Sequence, residues 1–80
     1  MKITSKEQVR KSISGSLRYE RTEHGYTQQS LAEALGMNKS TVGGWENSVG
    51  SIGLDDAWQV ADVYGISLDQ LAGRTAVAVA

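Results

Sequence analysis

The sequence has 80 residues, 40 % of them hydrophobic and 21 % charged, and it contains neither cysteine nor proline. This length suffices for one small domain, which excludes a two-domain enzyme, and the lack of cysteine excludes disulfides and thiolate zinc sites. No segment approaches the ~18 apolar residues of a membrane span, and the N-terminus lacks the apolar core of a signal peptide, so we expect a soluble, cytoplasmic protein.

The formal net charge of −1 is unevenly distributed along the chain. Residues 1–44 carry seven basic and four acidic side chains, a net charge of +3, whereas residues 45–80 carry one basic and five acidic side chains, a net charge of −4. A pI of about 5.7 argues mildly against binding to nucleic acid, whose protein partners usually carry a basic patch. Only the first half of the chain offers such a patch.

Glycine residues separate runs in which apolar residues recur with helical spacing, which predicts five short helices and an all-α fold. The first helix has Ser5 as its N-cap and extends to about Glu23. We expect Val9, Ile13 and Leu17, which recur every fourth residue, to form its apolar stripe.

Two further helices are predicted in the middle of the chain. The second covers Gln28 to about Leu35, with Thr27 as its N-cap and Gly36 as the left-handed residue that ends it. The third covers about 38–47, with Asn38 as its N-cap. The side chains predicted to face inward from these two helices are Leu31, Ala32, Leu35, Val42 and Trp45.

The last two helices follow an uncharged segment rich in glycine and serine. The fourth ends at Gly65, and the fifth runs from its N-cap Ser67 to Gly73. The helical spacing in the fourth predicts an apolar face containing Leu54, Ala57, Trp58, Ala61 and Tyr64. We therefore assign residues 1–73 to one domain and interpret residues 74–80 as an apolar tail or a truncated linker.

The segment from Thr27 to Asn47 carries the most informative spacing. Two helices that cross near a right angle need a small residue at the crossing, a residue that tolerates positive φ in the turn, and apolar side chains beneath. Counted from Gln28, positions five, nine, fifteen and eighteen meet these needs: Ala32, Gly36, Val42 and Trp45. This is the spacing of a DNA-binding helix-turn-helix.

With these residues the chain resembles the lambda-repressor-like family of Cro/CI-type regulators, from about Leu17 to Gly73. The resemblance is densest in Leu17-Arg18, Gly25-Tyr26-Thr27-Gln28, Leu31-Ala32, Leu35-Gly36, Trp45-Glu46-Asn47 and Gly65-Ile66-Ser67-Leu68-Asp69. It implies a compact five-helix domain that binds double-stranded operator DNA as a homodimer. A bacterial or phage repressor is the function that this resemblance favours.

The resemblance also assigns residues to DNA. Lys39, Ser40 and Thr41 match the exposed start of the recognition helix, where a lysine donates to guanine O6 and N7 and a hydroxyl pairs with base edges. Gln28 and Asn47 match positions that contact phosphate before and after that helix, and Gln28 also braces it. For Gln28, Lys39, Ser40 and Thr41, a plain solvated side chain is the alternative.

An ion pair is implied between Arg21 and Glu46, because family members commonly use this pair to tie the first helix to the end of the recognition helix. We therefore expect a structural role for both residues. Arg18, three residues before Arg21, is expected to project elsewhere and to contact phosphate.

The chain departs from the family pattern in two places. Gly43 and Gly44 lie inside the recognition helix, where each costs roughly 1 kcal/mol relative to alanine, and Gly44 stands where many relatives place a DNA-contacting side chain. The loop at 48–53 carries no charge, which implies few phosphate contacts. Binding by one subunit should therefore be modest, and we expect dimerisation through Leu68, Leu71 and the tail to strengthen it.

Other functions remain open at this point. The fold can serve as an antitoxin or another protein-binding module, or as the DNA-binding fragment of a longer repressor. An enzyme is disfavoured because the only histidine, His24, precedes Gly25 in a predicted helix-end turn with no nucleophile, carboxylate pair or metal cluster beside it. No metal, cofactor, small molecule or membrane is expected as a partner.

Overall fold

The computed structural model describes residues 3–74. Over that range the chain forms five α-helices and no strand: α1 (Lys6–Glu23), α2 (Gln28–Leu35), α3 (Lys39–Glu46), α4 (Leu54–Tyr64) and α5 (Leu68–Ala72). The predicted all-α fold is therefore confirmed. None of these helices is long and apolar enough to cross a membrane. Residues 75–80 of the predicted tail lie outside the described residues.

Side chains at the helix N-termini confirm three of the predicted caps. Ser5, Thr27 and Ser67 each accept a hydrogen bond from the backbone N–H three residues later. The cap of α2 is reciprocal, because the hydroxyl of Ser30 accepts from the N–H of Thr27 at 2.9 Å. The cap of α3 differs from the prediction: Asn38 occupies the N-cap position, but its side chain makes no capping hydrogen bond.

The core lies where the helices meet, with α1 against α3 and α5, and α2 against α3 and α4. Its buried apolar side chains are Leu17, Leu31, Ala32, Val42, Trp45, Val60, Ala61, Tyr64 and Leu71. Three of the four motif residues, Ala32, Val42 and Trp45, thus have the predicted buried positions. The fourth, Gly36, ends α2 in the left-handed conformation with φ 70°, which glycine adopts without steric cost.

The apolar faces predicted for α1 and α4 are partly wrong. Val9 is exposed, as are all the other α1 residues before Ile13. Leu54 and Trp58 are 73 % and 61 % exposed, whereas Val60, which was not predicted to face inward, is buried. At 100° per residue, Trp58 lies roughly 110° from the centre of the buried face of α4. Leu54, the first residue of α4, borders a groove beside α5.

The end of α5 lies directly against α1. The hydroxyl of Ser16 donates to the carbonyl of Gln70 at 3.3 Å, and that of Ser12 donates to the carbonyl of Ala72 at 3.5 Å. Gly73 follows with φ +77°, and a Cβ added there would lie 3.1 Å from the Ser12 hydroxyl oxygen. The left-handed conformation therefore favours glycine, and a side chain there would also require Ser12 to shift by a few tenths of an ångström.

Candidate nucleic-acid interface

Residues 36–38 form the turn between α2 and α3. The N–H of Gly36 bonds to the carbonyl of Glu33 at 3.2 Å, and the N–H of Met37 bonds to the carbonyl of Ala32 at 2.9 Å. These bonds satisfy carbonyls in the last turn of α2, and the chain changes direction at Gly36. As a result α3 packs against α2.

The first turn of α3 faces solvent. Lys39, Ser40 and Thr41 are all exposed, while Val42 on the inner face is buried, so the structure brings the three predicted base-contacting residues onto one accessible turn. Asn38 extends this set because its amide, which is not used for capping, is exposed beside Lys39. Nothing in the sequence indicates this free amide, since asparagine at an N-cap normally favours capping.

The carboxylate of Glu46 at the C-terminal end of α3 is the centre of a polar cluster. Arg21 on α1 donates to it twice, from Nε to Oε2 at 2.7 Å and from Nη2 to Oε1 at 3.0 Å. The side chain of Glu46 is 2 % exposed and that of Arg21 is 13 % exposed. The hydrogen bonds to Glu46 raise the pKa of Arg21, so this guanidinium stays charged. The pair predicted between these residues is thus present.

Gln28 at the start of α2 belongs to the same cluster. Its Nε2 donates to Oε1 of Glu46 at 3.2 Å, and its Oε1 lies 3.4 Å from the position that a Cβ on Gly43 would occupy. The side chain is half-buried between the two helices. Gln28 therefore connects the beginning of α2 to the end of α3, and one amide hydrogen is left for a further acceptor.

The prediction that Arg18 projects away from Arg21 is wrong. Arg18 Nη2 donates to the backbone carbonyl of Glu46 at 3.2 Å and to Oδ1 of Asn47 at 3.4 Å. The reason is helical geometry, because residues three apart share one face of a helix. The Arg18 side chain nevertheless stays 56 % exposed, so it lies with Asn47 as an accessible polar pair at the C-terminal end of α3.

Ser14 supports the same end of α3 from the buried side. Its hydroxyl donates to the carbonyl of Trp45 at 2.8 Å and lies 2.7 Å from the hydroxyl of Ser48. Because the single hydroxyl hydrogen of Ser14 is used on Trp45, Ser48 is the donor in the second bond. Sequence reasoning missed Ser14, although its position next to Ile13 and three residues before Leu17 places it on the apolar stripe of α1.

Comparison with known protein families shows to which family this chain belongs. A family model described as Helix-turn-helix matches residues 17–71, from within α1 to within α5. The chain belongs to the Cro/CI-type helix-turn-helix family. No curated protein and no solved structure matches the chain at a significant level. Membership in this family makes the chain a DNA-binding regulator of transcription, and the family is not one of enzymes.

Charge is separated on this Cro/CI-type domain. The cations Arg18 and Lys39 lie at the two ends of the exposed side of α3. The acidic side chains of the second half of the chain, apart from the paired Glu46, lie on α4 and α5: Asp55, Asp56, Asp62 and Asp69. The local charge around α3 is therefore positive, although the whole chain is slightly acidic.

His24 has a structural position in this Cro/CI-type domain. It is the C-cap of α1, its ring lies 4.6 Å from that of Tyr64 at an interplanar angle of 12°, and its Nδ1 is 2.8 Å from the carbonyl of Glu20. Among the described residues no group of three His, Cys, Asp or Glu side chains is arranged to hold a metal ion. His24 thus joins the end of α1 to α4 through ring stacking.

Proposed function

We propose that the chain is a sequence-specific repressor that binds operator DNA as a homodimer, with α3 in the major groove. The observation that carries this proposal is the contrast between the two sides of α3. Val42, Trp45 and Glu46 fix its inner side in the core and in the polar cluster, whereas residues 38–41 face solvent. A helix held this firmly presents its exposed side chains in one orientation, as base recognition requires.

The base contacts come from the first turn of α3. Lys39 donates to guanine O6 and N7, while the hydroxyls of Ser40 and Thr41 pair with neighbouring base edges or with phosphate. The unused amide of Asn38 adds a group that can pair with adenine N6 and N7.

The phosphate contacts come from groups on either side of that turn. Gln28 offers its remaining amide hydrogen at the start of α2, and Arg18 and Asn47 offer exposed donors at the end of α3. Phosphate contacts at both sides would fix the register of the helix in the groove.

We propose that α4 and α5 form the homodimer contact, although not through all of the residues expected from the sequence. Leu71, one of the residues expected to mediate it, is 2 % exposed and belongs to the core, so it is not available to a partner. Leu54 and Trp58 are exposed one helical turn apart, and Leu54 lines a groove of about 310 Å³ together with Leu68 and Ile52. Exposed apolar surface beside a groove is typical of interfaces between subunits.

The test starts with selection of bound duplexes from a random pool by the purified chain. Lys39→Ala and Gln28→Ala are then titrated against the selected duplex at physiological salt, with folding checked by circular dichroism. Arg74→Ala, which removes the same charge from the end of α5, is the control. We expect Lys39→Ala to lose about tenfold or more in affinity and to relax the preference at one base pair. The proposal fails if no duplex is enriched or if both variants bind like the wild type.

A second candidate function is protein binding on the same fold, as in an antitoxin. The exposed pair of Leu54 and Trp58 favours it, because the same surface that suits a second copy also suits a different apolar partner. Wild-type affinity for DNA in the folded Lys39→Ala and Gln28→Ala variants would support this candidate.

A further inference from the structure

Two consecutive glycines lie within α3, which has only eight residues. Glycine is the poorest helix former after proline, so Gly43 and Gly44 weaken the helix that carries the exposed turn. Neither residue has a positive φ, so the backbone conformation does not require glycine at either position. The reason for these glycines must therefore lie in the space around them.

The surroundings of the two glycines differ. A Cβ on Gly43 would lie 3.4 Å from Oε1 of Gln28, which is an ordinary van der Waals contact between α2 and α3. A Cβ on Gly44 would meet no atom of residues 3–74 within 4 Å. The folded chain has room for a side chain at Gly44 and nevertheless lacks one.

Gly44 lies on the outer side of α3. It follows Ser40 by four residues and therefore lies one helical turn further along the same side of the helix, where it is half-buried. Its carbonyl already accepts the N–H groups of Val49 at 3.0 Å and Gly50 at 3.2 Å, and its own N–H belongs to the helical ladder. What remains at its surface is a bare Cα with no free donor or acceptor.

We propose that Gly44 is a specificity-determining residue that receives the C5-methyl group of a thymine in the operator. Glycine allows close approach of the backbone to a ligand, and the thymine methyl is the apolar group that protrudes from base edges into the major groove. An apolar surface without hydrogen-bonding groups matches that methyl better than it matches any polar base edge. This inference rests on the proposed function, since it requires α3 to lie in the major groove.

The test uses the duplex selected by the wild-type chain and a set of duplexes in which each thymine is replaced singly by deoxyuridine, which lacks the methyl group. For the wild type, replacement of the thymine at one position of a half-site should lower affinity about 4-fold, which corresponds to the loss of one buried methyl group. Gly44→Ala should lose about tenfold on the thymine duplex. On the duplex lacking that methyl, Gly44→Ala should bind within about 3-fold of the wild type, because its own methyl occupies the vacated space.

Gly15→Ala is the matched control, because Gly15 is also helical, is exposed on α1 and also has no atom within 4 Å of an added Cβ. Both alanine variants should melt about 4 °C or more above the wild type, but only Gly44→Ala should change DNA affinity. The inference is overturned if Gly44→Ala binds the thymine duplex like the wild type, or if its loss is equal on all duplexes. Enrichment of no duplex by the wild type would instead overturn the proposed function together with this inference.

Discussion

Arg21 and Glu46 form a bidentate ion pair that joins the last turn of α1 to the end of α3, with N–O distances of 2.7 and 3.0 Å. The pair is shielded from solvent, and Arg21 also donates to the carbonyl of Tyr26 at 2.8 Å. Removal of one partner from such a pair leaves the other charge buried without compensation, which is more harmful than removal of both. The orientation of α3 therefore depends on both residues.

Glu46→Gln should destabilise the domain by about 3 kcal/mol, because the Arg21 charge loses its counter-charge in a poorly solvated position. Urea unfolding followed by circular dichroism measures this change. The double variant Arg21→Met/Glu46→Leu is the control, and it should recover most of the lost stability because neither charge remains. A Glu46→Gln variant within 0.5 kcal/mol of the wild type, roughly the effect of a neutral surface substitution, would contradict the structural role of the pair.

Ser14→Ala should lower the free energy of unfolding by about 1–2 kcal/mol, because the carbonyl of Trp45 and the hydroxyl of Ser48 both lose their buried partner. Ser16→Ala is the matched control, since Ser16 makes one exposed bond to α5 and should cost less than about 0.5 kcal/mol. Thermal melts of the two variants, recorded side by side, make the comparison. Equal effects of the two substitutions would show that Ser14 gives α3 no special support.

Stability should fall above pH 10 because of Tyr64. Burial raises the pKa of Tyr64 to about 12 from its usual value of 10.0, so between these values the unfolded chain releases a proton that the folded chain keeps. The contribution of Tyr64 to the free energy of unfolding is therefore complete below pH 10 and is lost as the pH rises toward 12. Denaturant midpoints measured from pH 8 to pH 11.5 should show this decline.

Tyr64→Phe should remove that part of the alkaline decline. The buried hydroxyl of Tyr64 has no hydrogen-bond partner among the described residues, so its removal should also raise the free energy of unfolding at pH 7 by about 1 kcal/mol. Tyr19→Phe is the control, because Tyr19 is 60 % exposed and its replacement should leave both quantities unchanged. An identical alkaline decline in wild type and Tyr64→Phe would assign the effect to other groups.

Trp58→Lys should weaken self-association without loss of monomer stability, since Trp58 is 61 % exposed and contributes little to the core. Sedimentation equilibrium of the wild type and the variant measures the dimer constant. Tyr19→Lys replaces an equally exposed aromatic residue on α1 and should leave that constant unchanged. A wild type that is purely monomeric at high concentration would contradict the proposed dimer.

The fold was largely predictable from the sequence because its signals are local. A serine or threonine before each of α1, α2 and α5 and a glycine after α2, α4 and α5 specify those helix ends without any distant contact. The spacing of Ala32, Gly36, Val42 and Trp45 likewise predicts how two adjacent helices cross.

The predictions were wrong where the burial or conformation of a side chain depends on which other helix packs against it. Trp58 and Val60 both fit an apolar face of α4, and only packing on α2 and α5 decides that Val60 is buried. Asn38 fits a capping role, and its side-chain conformation cannot be read from residue type. Arg18 is different, because its spacing from Arg21 already indicated a shared face, and that signal was available in the sequence.

The close approach of Gly73 to Ser12 and Ser16 determines where the chain leaves the described domain. On α1, these serines lie roughly 160–200° around the helix axis from Ser14, which faces the end of α3. Residue 74 therefore lies on the side of α1 away from the end of α3. A fluorophore attached at that residue would report on the domain while α3 stays accessible to duplex DNA.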